Sequence, residues 1–151
     1  SIDHALRATW QALAKLYNEQ AAKHDSTMAM ALSLLYIDAE NGTPSTSLGP
    51  SMGMEATSLS RTLNAMEDKG FIFREKNPQD GRGVLIKLTE LGHEKREISK
   101  DSVHQFNQTV RGNIEAKKID HFFEVTALIK SLIENRRIFK DKMIQYEKKT
   151  Y

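Results

Sequence analysis

The sequence predicts a mainly α-helical fold with one small β-hairpin, in class α+β. All three prolines and seven of the eight glycines lie between residues 42 and 92, so uninterrupted elements are expected on either side. In both flanking parts apolar residues recur every three or four positions, which is the period of an α-helix. Two β-prone runs stand close together in the middle part, as in a hairpin.

The composition is that of a chain able to build a hydrophobic core. Leu, Ile, Val and Phe account for 35 of the 151 residues and the net charge is +2, which argues against intrinsic disorder. The absence of cysteine excludes disulfides, thiolate metal ligands and thiol redox chemistry. We find no apolar run long enough to cross a membrane and no secretion signal. A cytoplasmic protein with no membrane partner is therefore expected.

The first part of the chain is expected to form two helices. The apolar face of the first helix consists of Ile2, Leu6, Trp10, Leu13 and Tyr17. The second helix is expected to begin after capping candidates at 25–27 and to end at the Asn-Gly-Thr-Pro segment 41–44. Its apolar side consists of Met28, Ala31, Leu32, Leu35 and Ala39.

The part after residue 92 also has a helical pattern. Phe106, Val110 and Ile114 lie at steps of four, and a last helix is expected from about Ile119. Its apolar positions are Phe122, Val125, Ile129, Leu132, Phe139, Met143 and Tyr146. A helix of about 28 residues is some 42 Å long, too long for so small a domain to cover. Its apolar stripe is therefore expected to meet another chain, the alternative being a tail that folds back on its own domain.

The middle part predicts a helix, a turn, a second helix and a hairpin. Residues 47–54 are expected to form a short helix and turn, and a second helix is expected over 55–69, before Gly70 at a C-cap position. The outer face of the second helix consists of Thr57, Ser58, Ser60, Arg61 and Asn64. Small hydroxyls permit close approach to DNA, and Arg and Asn can read base edges in a major groove. An ordinary solvated face is the alternative.

The β-prone runs 71–76 and 84–89 flank a loop of turn residues at 77–83. A hairpin that follows a helix-turn-helix makes a winged helix. Arg82 stands between two glycines at the loop tip, which suits insertion into a narrow minor groove. Asp80 can cap the turn or hold Arg82, and two basic residues of the first strand can contact phosphates. These two residues are Arg74 and Lys76.

A family resemblance rests on residues of this middle part. They are Leu63, Met66-Glu67, Lys69-Gly70-Phe71-Ile72, Arg74, Asn77-Pro78, Asp80-Gly81-Arg82, Leu88-Thr89 and Leu91-Gly92. This pattern resembles the MarR family of bacterial winged-helix transcriptional regulators, strongly over 55–92, and the helical arms agree in length and order. Two positions depart from the family: Gly83, where many members have a second basic residue, and the Gly49-Pro50 pair before the recognition helix.

The resemblance implies an obligate homodimer bound to double-stranded DNA at a pseudo-palindromic operator. The expected domains are a winged helix-turn-helix DNA-binding domain at 28–92 and a helical dimerisation region at 1–27 and 93–151. The helix at 55–69 would be the recognition helix and Arg82 the wing arginine. The DNA-binding residues expected are Thr57, Ser58, Ser60, Arg61, Asn64, Arg74, Lys76, Asp80 and Arg82.

The resemblance also implies a small-molecule pocket, often for aromatic acids or phenols. Candidate wall residues are Trp10, Tyr17, Met28, Met30 and Tyr36, which could instead be ordinary core. We find no catalytic motif, so neither an enzyme nor a cofactor is expected. No metal site is expected either, although zinc-sensing relatives leave His104 with His24 or Glu97 open.

The function expected is that of a repressor relieved by a small molecule. One alternative is a DNA-binding protein that needs no ligand. The other is a winged-helix dimer used for protein–protein contact, which the equal counts of five basic and five acidic residues in 54–83 keep open.

Overall fold

The computed structural model describes residues 1–139. The elements in chain order are α1 (Ile2–Ala22), α2 (Met28–Tyr36), β1 (Thr43–Pro44), α3 (Ser45–Met52), α4 (Ala56–Asp68), β2 (Ile72–Lys76), β3 (Val84–Leu88), α5 (Glu90–Asn113) and α6 (Ala116–Glu134). No helix within residues 1–139 is long and apolar enough to cross a membrane. The chain divides into two compact units, one over residues 1–106 and the other from residue 107 onward.

The first unit contains one hydrophobic core between α2, α3, α4 and a small antiparallel sheet. The sheet has the order β1–β3–β2, and the β2–β3 pair runs from Ile72 opposite Leu88 to Lys76 opposite Val84. The buried residues of the hydrophobic core are Met30, Leu34, Ile37, Leu48, Leu59, Leu63, Met66, Phe71, Ile72, Ile86 and Leu88. The predicted α+β class with a winged helix-turn-helix is thus confirmed.

The elements of the middle part lie close to their predicted bounds. The helix predicted over 55–69 is α4, and its residues Leu59, Leu63 and Met66 are buried, as their spacing requires. Gly70 follows with φ +77°, a left-handed conformation that glycine adopts without steric cost. The two predicted strands are β2 and β3, each five residues long.

The third strand, β1, was not expected from the sequence. Thr43 pairs with Ile86 and Pro44 with Leu85, so β1 adds an edge to the hairpin. Proline is tolerated on an edge strand because it has no N–H to donate to a ladder. Two residues are too few to show a strand pattern in a sequence.

The second helix ends earlier than the sequence suggested. The prediction that Ala39 belongs to it is wrong, because α2 ends at Tyr36 and Ile37 is already extended with ψ 128°. Asp38 then builds a turn, its Oδ1 accepting hydrogen bonds from the backbone N–H groups of Glu40 and Asn41, each at 2.9 Å. These two donors lower the pKa of the Asp38 carboxyl. A side chain that satisfies the backbone of a turn competes with helix continuation.

The helix before α4 includes a proline. Pro50 is the sixth of the eight residues of α3 and is exposed. The helix ends at Gly53, whose φ is +65°, and the N–H of Met54 donates to the carbonyl of Gly49 at 3.0 Å. This left-handed turn redirects the chain from α3 into α4.

The start of α5 packs against the end of the turn before β2. The Thr89 N–H donates to the carbonyl of Phe71 at 3.1 Å, and its hydroxyl donates to the carbonyl of Gly70. A Cβ at Gly92 would lie only 1.9 Å from the Phe71 carbonyl oxygen. Only glycine therefore permits this approach of α5 to the core.

The second unit contains the end of α5 and the helix α6. The prediction of a last helix of about 28 residues is wrong, because α6 has 19 residues and ends at Glu134. Arg136 has φ +53°, and the Arg137 N–H donates to the Leu132 carbonyl at 2.9 Å. This is a Schellman-type ending, which glycine usually marks and which an arginine conceals in the sequence. Phe139 lies beyond the helix, and Met143 and Tyr146 lie outside the described residues.

Both flanking helices expose apolar side chains in the single chain. On α1 these are Ile2, Leu6, Trp10 and Leu16, and on α6 they are Phe122, Phe123, Val125, Leu128, Leu132 and Ile133. Contiguous exposed apolar residues are typical of surfaces that contact another chain. The predicted division into a DNA-binding and a dimerisation region stays a prediction.

Candidate nucleic-acid interface

The outer face of α4 presents the five side chains that the sequence singled out. All five are exposed, whereas the three apolar residues at the complementary helical positions are buried. The exposed set is Thr57, Ser58, Ser60, Arg61 and Asn64. One face of α4 therefore packs against the core, and the opposite face exposes hydroxyls, an amide and a guanidinium to solvent.

Arg61 carries a charge that no residue among 1–139 neutralises. Within residues 1–139 its guanidinium makes neither an ion pair nor a hydrogen bond, and the same is true of the Arg82 guanidinium and the Lys76 ammonium. These three cations lie on α4, at the wing tip and at the end of β2. Free cations on adjoining elements are what contact with phosphates and base edges requires.

The wing loop is ordered by its own hydrogen bonds. The Asn77 N–H donates to the Gly83 carbonyl at 3.0 Å, and the Gly83 N–H donates to the Asp80 carbonyl at 3.0 Å. The Asp80 Oδ1 accepts from the backbone N–H of Arg82 at 3.1 Å. Asp80 thus caps the turn, one of the two roles expected from the sequence, and leaves the Arg82 side chain exposed at the tip.

Arg74 is held within the protein. Its Nη1 is ion-paired with the Glu67 carboxylate, and its Nη2 donates to Oδ1 of Asn64 at 3.0 Å. The side chain is only 29% exposed, so the guanidinium joins β2 to the outer face of α4. This intramolecular role was not expected from the sequence, because the two partners lie ten and seven positions away in a different element. Contact of Arg74 with a phosphate stays a prediction.

A second ion pair fixes the carboxyl end of α4. Lys69 Nζ lies 2.7 Å from Oδ1 of Asp25 in the turn between α1 and α2. Hydrogen bonding to Lys69 and its charge lower the pKa of the Asp25 carboxyl. Asp25 has φ +55°, a conformation that Asp and Asn tolerate better than most residues. No pattern in the sequence indicated this contact, which joins residues 44 positions apart.

A cavity of about 260 Å³ lies between α1, α2 and α5. Almost all of its wall is apolar. The lining residues are Trp10, Leu13, Tyr17, Gln20, Ala21, His24, Ser26, Met28, Ala31, Leu32, Leu34, Leu35, Lys95, Ile98, Ser99, Ser102 and Val103. A small aromatic molecule is of a size that such a space can hold.

Three of the five predicted wall residues line this cavity and two do not. Trp10, Tyr17 and Met28 line it. Met30 instead lies in the core, and Tyr36 lies on the surface, 46% exposed. The reason is helical geometry: positions 28, 31, 32 and 35 of α2 share the cavity face, which leaves positions 30 and 36 on other faces. The wall residues from α5 were missed because only the tertiary fold brings them to α1.

Lys95, a lysine of the cavity wall, is bound by other groups of the protein. Lys95 Nζ donates to the backbone carbonyl of His24 at 2.7 Å and lies 5.5 Å from the centre of the Phe71 ring. Tyr17 packs against Phe106 with ring centroids 5.8 Å apart, and burial raises the pKa of its hydroxyl. The cavity thus combines an aromatic wall with a neutral phenol and one anchored cation.

The histidines do not gather into a metal site in the described part of the chain. Among residues 1–139 no group of three or more His, Cys, Asp or Glu side chains is placed to hold a metal ion. The pairing of His104 with His24 or Glu97 that the sequence left open therefore has no third ligand there.

Comparison with known families and curated proteins gives a consistent result. Residues 27–84 match the model of the MarR family. YdgJ of Bacillus subtilis, described as an uncharacterised HTH-type transcriptional regulator, is 29% identical over 84 residues, which cover 56% of this chain and 51% of that protein. The chain spans only part of the curated relatives that it matches, between 34% and 59% of their length.

Solved structures with the same fold include one bound to operator DNA and one bound to its natural ligand. A mutant MarR from Escherichia coli in complex with operator DNA is 26% identical with a TM-score of 0.76, over 85% of this chain and 92% of that one. PcaV from Streptomyces coelicolor, in complex with its natural ligand, has a TM-score of 0.73 and 22% identity, over 85% of this chain and 91% of that one.

Proposed function

We propose that this chain, whose residues 27–84 match the model of the MarR family, is a member of that family and a homodimeric transcriptional regulator of the bacterial cytoplasm. Its target is a pseudo-palindromic operator in double-stranded DNA. Each α4 enters a major groove, the two grooves lying about 34 Å apart along the DNA, and each wing reaches a flanking minor groove. We place it among the transcriptional regulators rather than the enzymes. The similar protein YdgJ is itself described as a transcriptional regulator.

The observation that carries the proposal is the pairing of a solvent-facing α4 with an ordered wing. The face of α4 has a guanidinium, an amide and hydroxyls but no exposed large apolar side chain, which favours nucleic acid over a protein partner. Arg61 and Arg82 are cations without internal partners in residues 1–139. Ser58, Ser60, Arg61 and Asn64 would read bases, while Thr57 and Lys76 would position the DNA backbone.

The experiment is selection of bound fragments from a genomic DNA library at two salt concentrations, followed by affinity measurements on the selected sequence. Arg61→Ala is expected to weaken binding and relax the preference at one position by about 1–3 kcal/mol. Arg82→Ala is expected to weaken binding with a smaller loss of sequence preference. Arg7→Ala, on α1, removes the same charge outside the helix-turn-helix and is the matched control.

The outcomes separate this function from its rivals. A short inverted repeat that survives moderate salt supports a specific regulator. Random fragments that are lost at modest salt, or equal operator affinity for the wild type and both variants, would contradict it. A winged dimer used for protein contact is the reading that would then remain.

The homodimer is supported by the apolar faces of α1 and α6. On α6, Phe122, Leu128 and Ile133 are more than half exposed in the single chain, which is costly in water unless another surface covers them. Sedimentation equilibrium is expected to give twice the mass of one chain at micromolar concentration. Leu128→Glu is expected to shift the equilibrium toward the monomer, and Lys130→Glu, on the same helix, is its control. A monomeric wild-type protein would contradict this part of the proposal.

We also propose that a small aromatic molecule occupies the cavity and releases the protein from DNA, so that it acts as a repressor. The apolar wall and its aromatic side chains, Trp10 and Tyr17, support this assignment. Trp10 is the single tryptophan of the chain and lines the cavity, so its fluorescence reports occupancy directly. Titration with benzoate and with phenol is expected to change the Trp10 emission and, in the same concentration range, to weaken operator binding.

The two measurements must agree. A fluorescence change without an effect on operator affinity would leave a ligand-independent DNA-binding protein. Loss of the fluorescence change in Leu35→Phe, which would fill the cavity from α2, is the control that places the ligand there.

A further inference from the structure

Arg74 controls the way in which one side chain of the outer α4 face is presented. Its guanidinium reaches from β2 to α4, where Glu67 and Asn64 stand three positions apart on one helix face. The Glu67 carboxylate anchors the guanidinium as an ion pair, and the second terminal nitrogen faces the Asn64 amide at 3.0 Å. Asn64 itself is exposed.

The chemistry of guanidinium fixes the orientation of this amide. Arginine has five N–H donors and no acceptor, so the atom of Asn64 that faces it must be the oxygen. The amide nitrogen lies on the other side of the planar group and points away from Arg74. Asn64 therefore offers two N–H donors to its surroundings, while one of the two lone pairs of its oxygen is occupied by Arg74.

We infer that Arg74 is a specificity-determining positioning residue, which makes Asn64 select guanine; this inference rests on the proposed DNA binding. A free asparagine pairs best with adenine, donating to N7 and accepting from the N6 amino group. With its oxygen turned toward Arg74 and one of the two lone pairs occupied, Asn64 is a poorer acceptor for N6, whereas both of its N–H donors stay available. Guanine presents two adjacent acceptors, N7 and O6, and no donor in the major groove, so it matches a group that presents mainly its donors.

The ion pair with Glu67 makes this presentation durable. Arg74 is 29% exposed and Glu67 44% exposed, so the pair is shielded in part from water and salt. Because the charge of Arg74 is already balanced, the residue contributes less attraction for phosphates than Lys76 on the same strand, which has no ion pair within residues 1–139. The two basic residues of β2 thus have different effects: one on base preference and the other on affinity.

The test measures base preference rather than affinity alone. The position read by Asn64 is first located on the selected operator as the one whose preference Asn64→Ala abolishes. Wild-type protein is expected to bind the guanine operator at least about fivefold more tightly than the adenine operator at that position. Arg74→Met frees the oxygen and is expected to bring the two operators within about twofold or to favour adenine. Lys76→Met, the matched control, should lower both affinities and keep their ratio.

A second measurement needs no variant. Replacing that guanine by 7-deazaguanine removes the N7 acceptor and is expected to weaken binding of the wild-type protein by at least about threefold. A wild-type preference for any other base, an unchanged ratio in Arg74→Met, or indifference to 7-deazaguanine would each overturn the inference while leaving sequence-specific binding intact. Absence of any sequence-specific binding would instead refute the proposed function, and this inference with it.

Discussion

Substitution of Gly92 by alanine is the sharpest test of how closely the start of α5 packs against the backbone of Phe71. The added methyl carbon would lie 1.9 Å from the Phe71 carbonyl oxygen and 3.0 Å from its carbonyl carbon, where ordinary contact begins near 3.4 Å. Both obstacles are backbone atoms, so no side-chain rotation relieves the overlap. The start of α5 must move away by about 1.5 Å.

The free-energy change can be worked out from what this movement disturbs. Overpacking of a buried contact costs about 1–3 kcal/mol. The two hydrogen bonds from Thr89 to Gly70 and Phe71 are strained, at about 1 kcal/mol each. Replacing a helical glycine by alanine returns about 0.5–1 kcal/mol. The expected net loss is about 2–4 kcal/mol of the free energy of unfolding, or a fall of about 5–15 °C in Tm.

Urea unfolding followed by circular dichroism measures this loss, at one fixed protein concentration because the proposed dimer would make stability concentration-dependent. Gly112→Ala is the matched control, since Gly112 lies in the same helix with no heavy atom within 4 Å of an added Cβ. The control is expected to gain up to about 1 kcal/mol. A Gly92→Ala protein within about 0.5 kcal/mol of the wild type would refute the close approach of α5 to Phe71.

Two further predictions concern the turn before α2. Thr27 caps α2, its Oγ1 accepting from the Met30 N–H at 3.2 Å, so Thr27→Ala is expected to cost about 1 kcal/mol in urea unfolding and Thr27→Ser to recover most of it. Asp25→Asn retains a residue that tolerates the left-handed turn but removes the charge paired with Lys69. Because the folded-state pKa of Asp25 is lowered, its stabilisation is complete above its unfolded pKa of about 3.9 and is lost as the pH falls through the folded value. The stability difference between wild type and Asp25→Asn should therefore be constant from neutral pH to about pH 4 and shrink as the pH falls further, and a pH-independent difference would contradict the ion pair.

The sequence predicted best those elements whose signals are local. Leu59, Leu63 and Met66 define one face of α4 by spacing alone, and Gly70 marks its end. The end of α6 was missed because Arg136 adopts the left-handed conformation in which glycine is expected. The apolar period continues past that residue in the sequence, although the helix does not.

The candidate site was predictable in its residue types and less so in its contacts. Exposure of the α4 face follows from helical periodicity, so Arg61 and Asn64 could be named in advance. The hydrogen bond from Arg74 to Asn64 depends on the position of β2 beside α4, which no local pattern encodes. The cavity shows the same limit: Met30 and Tyr36 were assigned by residue type, and the rotation of α2 places them elsewhere.

The hydrogen bonds inside the wing loop have a consequence for the thermodynamics of association. Loop 77–83 is closed by a backbone hydrogen bond from the Asn77 N–H to the Gly83 carbonyl, and the turn within it is capped by Asp80. Fixing the backbone of one residue in a flexible loop costs about 1–2 kcal/mol of conformational entropy at room temperature. Here that ordering has already taken place in the free chain. A calorimetric titration of the whole protein with the proposed operator DNA should therefore show a heat-capacity change set by the surface buried on binding. The additional contribution of a loop that folds on binding should be absent.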